Sequence, residues 1–139
     1  MQNNNRGKSS PTYHLIYSVF ACGWTASGRL GVGHNLNQHI CKPVQLKTLD
    51  SIPIQNIYAG SAQSYFVTTD GKVYVCGWGN SFRLGHGDGE NIIVPTLMTG
   101  FGDYFIVEVS TPLCGLHGIA RSRCGLVFTW GILFVNLFL

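Results

Sequence analysis

Short apolar runs alternate with glycine-rich polar stretches along most of the chain, and this pattern predicts β-strands joined by tight turns. One apolar run, residues 65–69, is followed by Asp70-Gly71 and then by a second run at residues 72–75. Asp-Gly between two such runs predicts a hairpin with a type I′ turn, in which both central residues need positive φ. Because no segment has sustained helical periodicity, we expect an all-β fold.

A phrase of apolar residues and glycines occurs twice with a spacing of 54 residues. The first copy contains Gly23-Trp24 and Leu30-Gly31-Val32-Gly33, and the second contains Gly77-Trp78 and Leu84-Gly85-His86-Gly87. A third copy begins at residues 127–131, where Gly131 again follows Gly77 by 54 residues. A repeat of this length matches one propeller blade of about four short strands. An arginine precedes each Leu-Gly pair, and we expect both arginines at the rim of a loop.

The repeat divides the chain into three parts. We predict a disordered leader at residues 1–12, and two repeats at about residues 19–72 and 73–126 with the start of a third, up to residue 131. Residues 132–139 form an apolar tail, which we interpret as truncated or non-native. The second repeat is less regular, because Gly115-Leu116-His117 is one residue short of the Gly60 to Gln63 spacing. Two blades leave open strand edges, so we expect the isolated chain to aggregate or to self-associate.

These residues resemble the regulator of chromosome condensation repeat family, and the resemblance covers about residues 19–131. It implies a seven-bladed β-propeller with blades of four short antiparallel strands, of which this chain holds under a third, an incomplete propeller. Kelch repeats have a similar period, but their double glycine is absent from this sequence, and repeats of the WD type are shorter. We assign a structural role in the blades to the repeat positions Gly23, Trp24, Leu30, Gly31, Gly33, Gly60, Asp70, Gly71, Gly77, Trp78, Leu84, Gly85, Gly87, Gly115, Gly125, Trp130 and Gly131.

The composition argues against a nucleic-acid-binding or membrane-spanning protein. Only 11% of the residues are charged, well below the ~25% of an average domain. The formal net charge of +3 comes from nine basic and six acidic residues spread along the chain, so no basic patch predicts a nucleic-acid site. No stretch approaches the ~20 apolar residues that span a membrane.

The cysteines predict no disulfide framework. Their number is odd and their spacing is unpaired, at Cys22, Cys41, Cys76, Cys114 and Cys124. Two of them, Cys22 and Cys76, share one repeat position, where we expect small buried apolar side chains. This usage favours a reduced, intracellular setting, cytoplasmic or nuclear.

No residue cluster predicts an active site or a cofactor. Gly7-Lys8-Ser9 ends like a phosphate loop, but the first glycine and a preceding strand are missing. Zinc is an alternative where histidine and cysteine crowd two loops, at His34, His39 and Cys41 and at Cys114 and His117. Without a Cys-x-x-Cys pair, a structural role is favoured for these residues. The pair of tryptophans is likewise expected to pack within blades rather than to stack a ligand.

These observations favour a module that binds a protein partner through propeller loops. The resemblance implies two kinds of function: nucleotide exchange on a Ran-type small GTPase, or partner and substrate binding in a HECT-type ubiquitin ligase. The sequence contains no HECT segment, so we expect no ligase chemistry in this chain. A further alternative is a fragment without independent function.

Overall fold

A computed structural model describes residues 18–113 and 115–132. The predicted leader at residues 1–12 and residues 133–139 of the predicted apolar tail lie outside the described residues. The described part consists of nine β-strands and three short 3-10 turns, which confirms the all-β class. The strands are β1 Phe20–Trp24, β2 His39–Gln45, β3 Ile54–Ala59, β4 Gln63–Thr68, β5 Val73–Gly77, β6 Ile92–Leu97, β7 Ile106–Ser110, β8 His117–Ser122 and β9 Val127–Gly131.

The strands form three antiparallel sheets in chain order. The first sheet is β1-β2, the second is β3-β4-β5-β6 and the third is β7-β8-β9. The second sheet is therefore a complete four-stranded blade, as the fold prediction requires. It runs from Ile54 to Leu97 and crosses the boundary that the sequence places between residues 72 and 73. A sequence repeat and a sheet are thus different units, and the division into repeats stays a prediction.

The apolar core lies in two layers between neighbouring sheets. Side chains on a strand alternate between the two faces of its sheet, and β5 shows this clearly. Val73 and Val75 belong to the cluster shared with the third sheet, whereas Cys76 belongs to the cluster shared with the first. All three side chains are fully buried, so the second sheet is apolar on both faces.

The hairpin predicted at Asp70-Gly71 is present, but its turn type was predicted wrongly. Gly71 has φ +79°, whereas Asp70 is not among the described residues with positive φ. A type I′ turn needs positive φ at both positions. The amide of Gly71 instead donates to the carbonyl of Thr68, and the amide of Thr68 to that of Lys72. A four-residue turn closed by one left-handed glycine satisfies both bonds.

The spacing stays at 54 residues because two differences in loop length between the repeats cancel. Gly23 pairs with Ile40 in the first sheet, whereas Gly77 pairs with Ile92 in the second, so the second β-β connection is two residues shorter. The connection between β7 and β8 is two residues longer than that between β3 and β4, as the pairs Ser110–Ile119 and Tyr58–Tyr65 show. Gly115 lies in this longer connection, one residue closer to the start of β8 than Gly60 is to the start of β4.

Candidate functional site

Four connections lie at one end of the sheets, which we term the loop end. They are residues 25–38, 60–62, 78–91 and, within the described residues, 111–113 and 115–116. The opposite end, the hairpin end, carries the turns of Asp70, Gly71 and Gly125. Antiparallel strands place alternate connections at the same end of a sheet. The long glycine-rich phrases of both repeats therefore share one end of the molecule.

Each glycine-rich loop holds an arginine stacked on a tryptophan. The guanidinium of Arg29 lies 4.5 Å from the ring centre of Trp24, and that of Arg83 lies 4.3 Å from Trp78. In both loops the arginine Nε donates to the carbonyl three residues earlier, at 2.9 Å and 2.8 Å. The tryptophans remain 42% and 38% exposed, whereas Arg83 is almost fully buried. Stacking of this kind fixes both side chains and leaves part of each indole facing solvent.

The backbone of the same arginines joins each loop to the next sheet. The carbonyl oxygen of Arg29 accepts a hydrogen bond of 2.8 Å from the Ser64 hydroxyl. The carbonyl oxygen of Arg83 accepts bonds from the Tyr65 hydroxyl at 2.6 Å and from the Trp130 indole at 2.8 Å. Buried carbonyls need such partners. The Arg-Leu-Gly phrase is therefore the point where one sheet is tied to its neighbour.

Close approach explains why the phrase contains glycine. A Cβ on Gly31 would lie 2.9 Å from the sulfur of Cys76, and a Cβ on Gly85 would lie 3.0 Å from Cδ1 of Trp130. These two contacts are related by the same 54-residue spacing, so Trp130 occupies the position of Cys76. Ile132 correspondingly takes the position of Trp78, since its amide donates to the Leu116 carbonyl at 3.0 Å.

The remaining repeat positions differ in their surroundings. Gly77 and Gly131 lie against a neighbouring strand, where a Cβ would be 2.2 Å and 2.3 Å from a backbone carbonyl oxygen. Gly33 and Gly87 have φ near +90° but meet no such contact. Leu84 is buried and Leu30 is half-buried, while Gly60 and Gly115 pack against Gln63 and Pro112 respectively. The structural roles assigned from the sequence stay predictions.

The loop end also carries large apolar side chains that face solvent. Leu36 is 58% exposed, Phe82 is 54% exposed and Leu113 is 77% exposed. Phe82 has φ +58°, the left-handed region that disfavours residues with a Cβ. The sequence analysis missed Phe82, although its alignment with Gly28 in the first repeat was a usable signal. A strained aromatic residue held in solvent is a candidate contact residue.

Burial shifts the pKa of two side chains in this site. Burial raises the pKa of Tyr65 to about 12, and burial lowers the pKa of Arg83. Within residues 18–113 and 115–132, no three His, Cys, Asp or Glu side chains come together as metal ligands. Of the residues considered for zinc, His39 and Cys41 lie on β2 rather than in the loop with His34. The expectation of small buried side chains holds for Cys76 and is wrong for Cys22, which is exposed.

The four-stranded sheet and its flanking sheets define the class of protein as a repeat-built β-propeller. The family profile described as "Regulator of chromosome condensation (RCC1) repeat" matches residues 18–67 and 70–111, and the chain belongs to this family. Its relatives support a protein-interaction propeller module.

Several curated proteins are similar over most of the chain. Human E3 ubiquitin-protein ligase HERC2 is 31% identical over 109 residues, 78% of this chain and 2% of the ligase. Human Protein RCC2 is 31% identical over 120 residues, 80% of this chain and 22% of that protein. The Arabidopsis thaliana Ultraviolet-B receptor UVR8 is 32% identical over 114 residues, 81% of this chain and 25% of the receptor. The chain thus spans a quarter or less of these three relatives.

Solved structures agree with the fold. Human WBSCR16 superposes with a TM-score of 0.70 at 25% identity, covering 81% of this chain and 28% of that one. Yeast RCC1 (Prp20), solved bound to Kap60, also gives 0.70, at 22% identity over 82% of this chain and 28% of its own. In the part of the chain that the structure describes, no helix has the length and apolar character to cross a membrane.

Proposed function

We propose that the chain is part of a protein-binding propeller and that its loop end contacts the partner. The observation that carries this proposal is the pair of Trp–Arg stacks beside the exposed Leu36, Phe82 and Leu113. Aromatic and arginine side chains dominate the binding energy of protein interfaces. Here they are already fixed by stacking, so less side-chain entropy is lost on binding.

Two partner classes follow from the relatives. A ubiquitination substrate is supported by the likeness to HERC2, whose name describes an E3 ubiquitin-protein ligase. A Ran-type small GTPase is the second candidate, supported by the structural likeness to Prp20p from Saccharomyces cerevisiae, whose crystal structure is described together with its binding properties to Gsp1p and histones. We place the interaction in an intracellular setting on the strength of the unpaired cysteines. If the chain is instead a fragment without independent function, we expect it to bind no partner.

Quantitative proximity labelling tests the loop end directly. The 139-residue chain is compared with the loop-end variants Phe82→Ser and Leu36→Ser and with the hairpin-end control variants Tyr104→Ser and Leu126→Ser. The control side chains are 49% and 46% exposed, close to the loop-end pair. We expect at least one protein to lose about tenfold in labelling with the loop-end variants alone, as for a hot spot. Equal labelling by all variants would contradict the proposal.

A nucleotide-release assay separates the two partner classes. Ran loaded with fluorescent GDP is mixed with the chain, and the rate of release is followed. Acceleration that Phe82→Ser abolishes and Tyr104→Ser preserves would establish exchange activity. No acceleration removes the exchange candidate and leaves the binding proposal to the labelling experiment.

The outer faces of the first and third sheets carry exposed apolar side chains, which form a second candidate partner surface. Phe20 on β1 is 56% exposed and Val127 on β9 is 62% exposed, whereas their counterparts in the second sheet are half-buried or buried. We propose that further blades or a second copy of the chain cover these faces. Sedimentation across a concentration series should therefore show association. A monodisperse monomer with cooperative unfolding would contradict this part of the proposal.

A further inference from the structure

The imidazole ring of His86 lies between two backbone carbonyl oxygens. Its Nδ1 is 3.3 Å from the carbonyl oxygen of Leu84 in the same loop, and its Nε2 is 3.2 Å from that of Leu97 at the end of β6. The side chain is half-buried. The equivalent position in the first repeat is Val32, whose side chain has no polar atom and can form neither bond. The contact therefore belongs to the second glycine-rich loop, residues 78–91.

The carbonyl of Leu97 lies on the edge of β6 that faces away from β5. The amide of Met98 donates to the carbonyl of Val73 at 2.8 Å, so these two residues form a hydrogen-bonded pair. Leu97 pairs with Tyr74 at the next position, and the peptide groups of such alternate pairs point away from the partner strand. A carbonyl at a sheet edge needs a donor from outside the sheet. His86 provides that donor and fastens the loop to the strand.

The number of protons on the ring decides how many of the two bonds can form. A neutral imidazole has one N–H and one nitrogen lone pair, so it can donate to only one of the two oxygens. The lone pair then faces the other oxygen, and two acceptors repel each other. The imidazolium form donates from both nitrogens, and a charged donor forms the stronger bonds. The closed contact therefore favours the protonated ring.

The ring is held by the two carbonyl oxygens and not by an ion pair. In the part of the chain that the structure describes, neither of the two ion pairs includes His86. Strand β6 carries no ionisable side chain. The ionisable side chains on the loop itself, on β5 and in the cleft beside Leu97 are Asp88, Glu90, Tyr74, Lys72, Asp103 and Tyr104. The two carbonyl oxygens are thus the acceptors through which protonation of the ring acts.

We propose that His86 is a proton-dependent latch that fastens the second glycine-rich loop to the edge of β6. At acidic pH the imidazolium bonds both carbonyl oxygens and holds the loop closed on the strand. As pH rises beyond about 6.5, where histidine ordinarily loses its proton, one of the two bonds is lost and the loop opens more often. The latch acts on the loop that carries the stack of Arg83 on Trp78, and it does not depend on the identity of any partner.

Hydrogen–deuterium exchange of the backbone amides tests the latch on the 139-residue chain. Exchange is followed by mass spectrometry at about pH 5.5 and about pH 8, on either side of the ordinary titration of histidine. The chain concentration is fixed, and each rate is corrected for its intrinsic dependence on pH. We expect the protection of residues 84–98 to fall by about tenfold between the two pH values, because a hydrogen bond from a charged donor is lost. The segment around Val32 should keep its protection.

Substitutions at position 86 separate the latch from other groups that titrate. His86→Val introduces the residue of the first repeat, and His86→Gln keeps an N–H donor without the charge. Both variants should show equal protection of residues 84–98 at the two pH values. The control His39→Gln changes a histidine of the first sheet and should retain the tenfold fall.

Three results would overturn the proposal. Equal protection of residues 84–98 at both pH values in the unchanged chain would show that the ring is not held through both nitrogens. A tenfold fall that persists in both variants at position 86 would assign the pH dependence to other groups. The ¹⁵N shifts of labelled histidine report which ring nitrogens carry protons, and a His86 ring with a single protonated nitrogen at pH 5.5 would also contradict the latch.

Discussion

The two glycine-rich loops at the loop end have the same sequence phrase but different surroundings. In both, an arginine stacks on a tryptophan and its carbonyl oxygen accepts a hydrogen bond from the next sheet, from Ser64 in the first case and from Trp130 in the second. The first loop, residues 25–38, lies against β6, since a Cβ on Gly28 would come within 2.8 Å of the Ile92 carbonyl oxygen. In the second loop, residues 78–91, Phe82 takes the place of Gly28 and stands 54% exposed.

This difference divides the positions of the phrase into two parts. The fixed part touches the next sheet, and the free part does not. In both loops glycine occupies the position that touches the next sheet, as the contacts of Gly31 and Gly85 show. The position of Gly28 and Phe82 must be glycine only where a strand such as β6 lies over the loop. No such strand lies over Phe82 within the described residues.

The largest expected effect comes from filling the space beside the second loop. In Gly77→Ala the new Cβ would lie 2.2 Å from the Ala62 carbonyl oxygen at a φ of +130°, whereas in Gly23→Ala the nearest contact is 3.8 Å from Leu30. Both changes incur backbone strain of about 1–3 kcal/mol, and only the first adds an overpacking cost of about 1–3 kcal/mol. Urea unfolding at one chain concentration should show a clearly greater loss for Gly77→Ala. Equal losses would show that the neighbouring strand does not confine Gly77.

Alkaline pH should weaken the contacts of both loops, since Tyr65 donates to the Arg83 carbonyl and Cys76 to the Arg29 carbonyl. Burial raises the pKa of both Tyr65 and Cys76 to about 12. The folded chain then holds protons that the unfolded chain has released, so stability is full below about pH 8.5, the ordinary pKa of a thiol, and falls as pH rises towards 12. Each pH unit costs about 1.4 kcal/mol for Cys76 above about pH 8.5 and for Tyr65 above about pH 10, the ordinary pKa of a tyrosine. Unfolding free energies measured from pH 8 to 11 should decline, and a flat profile would contradict burial of these groups.

A smaller effect should distinguish the hydrogen bonds made to the two arginine carbonyls. Tyr65→Phe removes a buried hydrogen bond of 2.6 Å to the Arg83 carbonyl, and we expect a loss of about 1 kcal/mol in unfolding free energy. Ser64→Ala removes the 2.8 Å bond to the Arg29 carbonyl at a part-buried site, where water can replace it, so its loss should be smaller. Denaturant titrations of both variants provide the comparison. A greater loss for Ser64→Ala would reverse the ranking of the two loops.

The sequence predicted the contacts that recur and missed those that occur once. The 54-residue spacing identified the strands, the glycine-rich phrase and the propeller class, because each recurring contact needs the same residue types. The same spacing aligned Trp130 with Cys76, but it did not predict the hydrogen bond of 2.8 Å that the indole donates to the Arg83 carbonyl. The exposure of Cys22 was also missed, because burial depends on which sheet lies alongside and not on the strand pattern.

The central claim is the division of the phrase into a fixed and a free part. Exchanging the residues at positions 28 and 82 tests it most directly. Gly28→Phe and Phe82→Gly are compared with the unchanged chain in one set of urea titrations at a fixed chain concentration. Because Gly28 lies under β6 at positive φ, Gly28→Phe should lose about 3 kcal/mol or more. Phe82→Gly should stay within about 1 kcal/mol of the unchanged chain, since relief of the left-handed strain offsets the greater flexibility of glycine. A comparable loss in both variants would contradict the division of the phrase into a fixed and a free part.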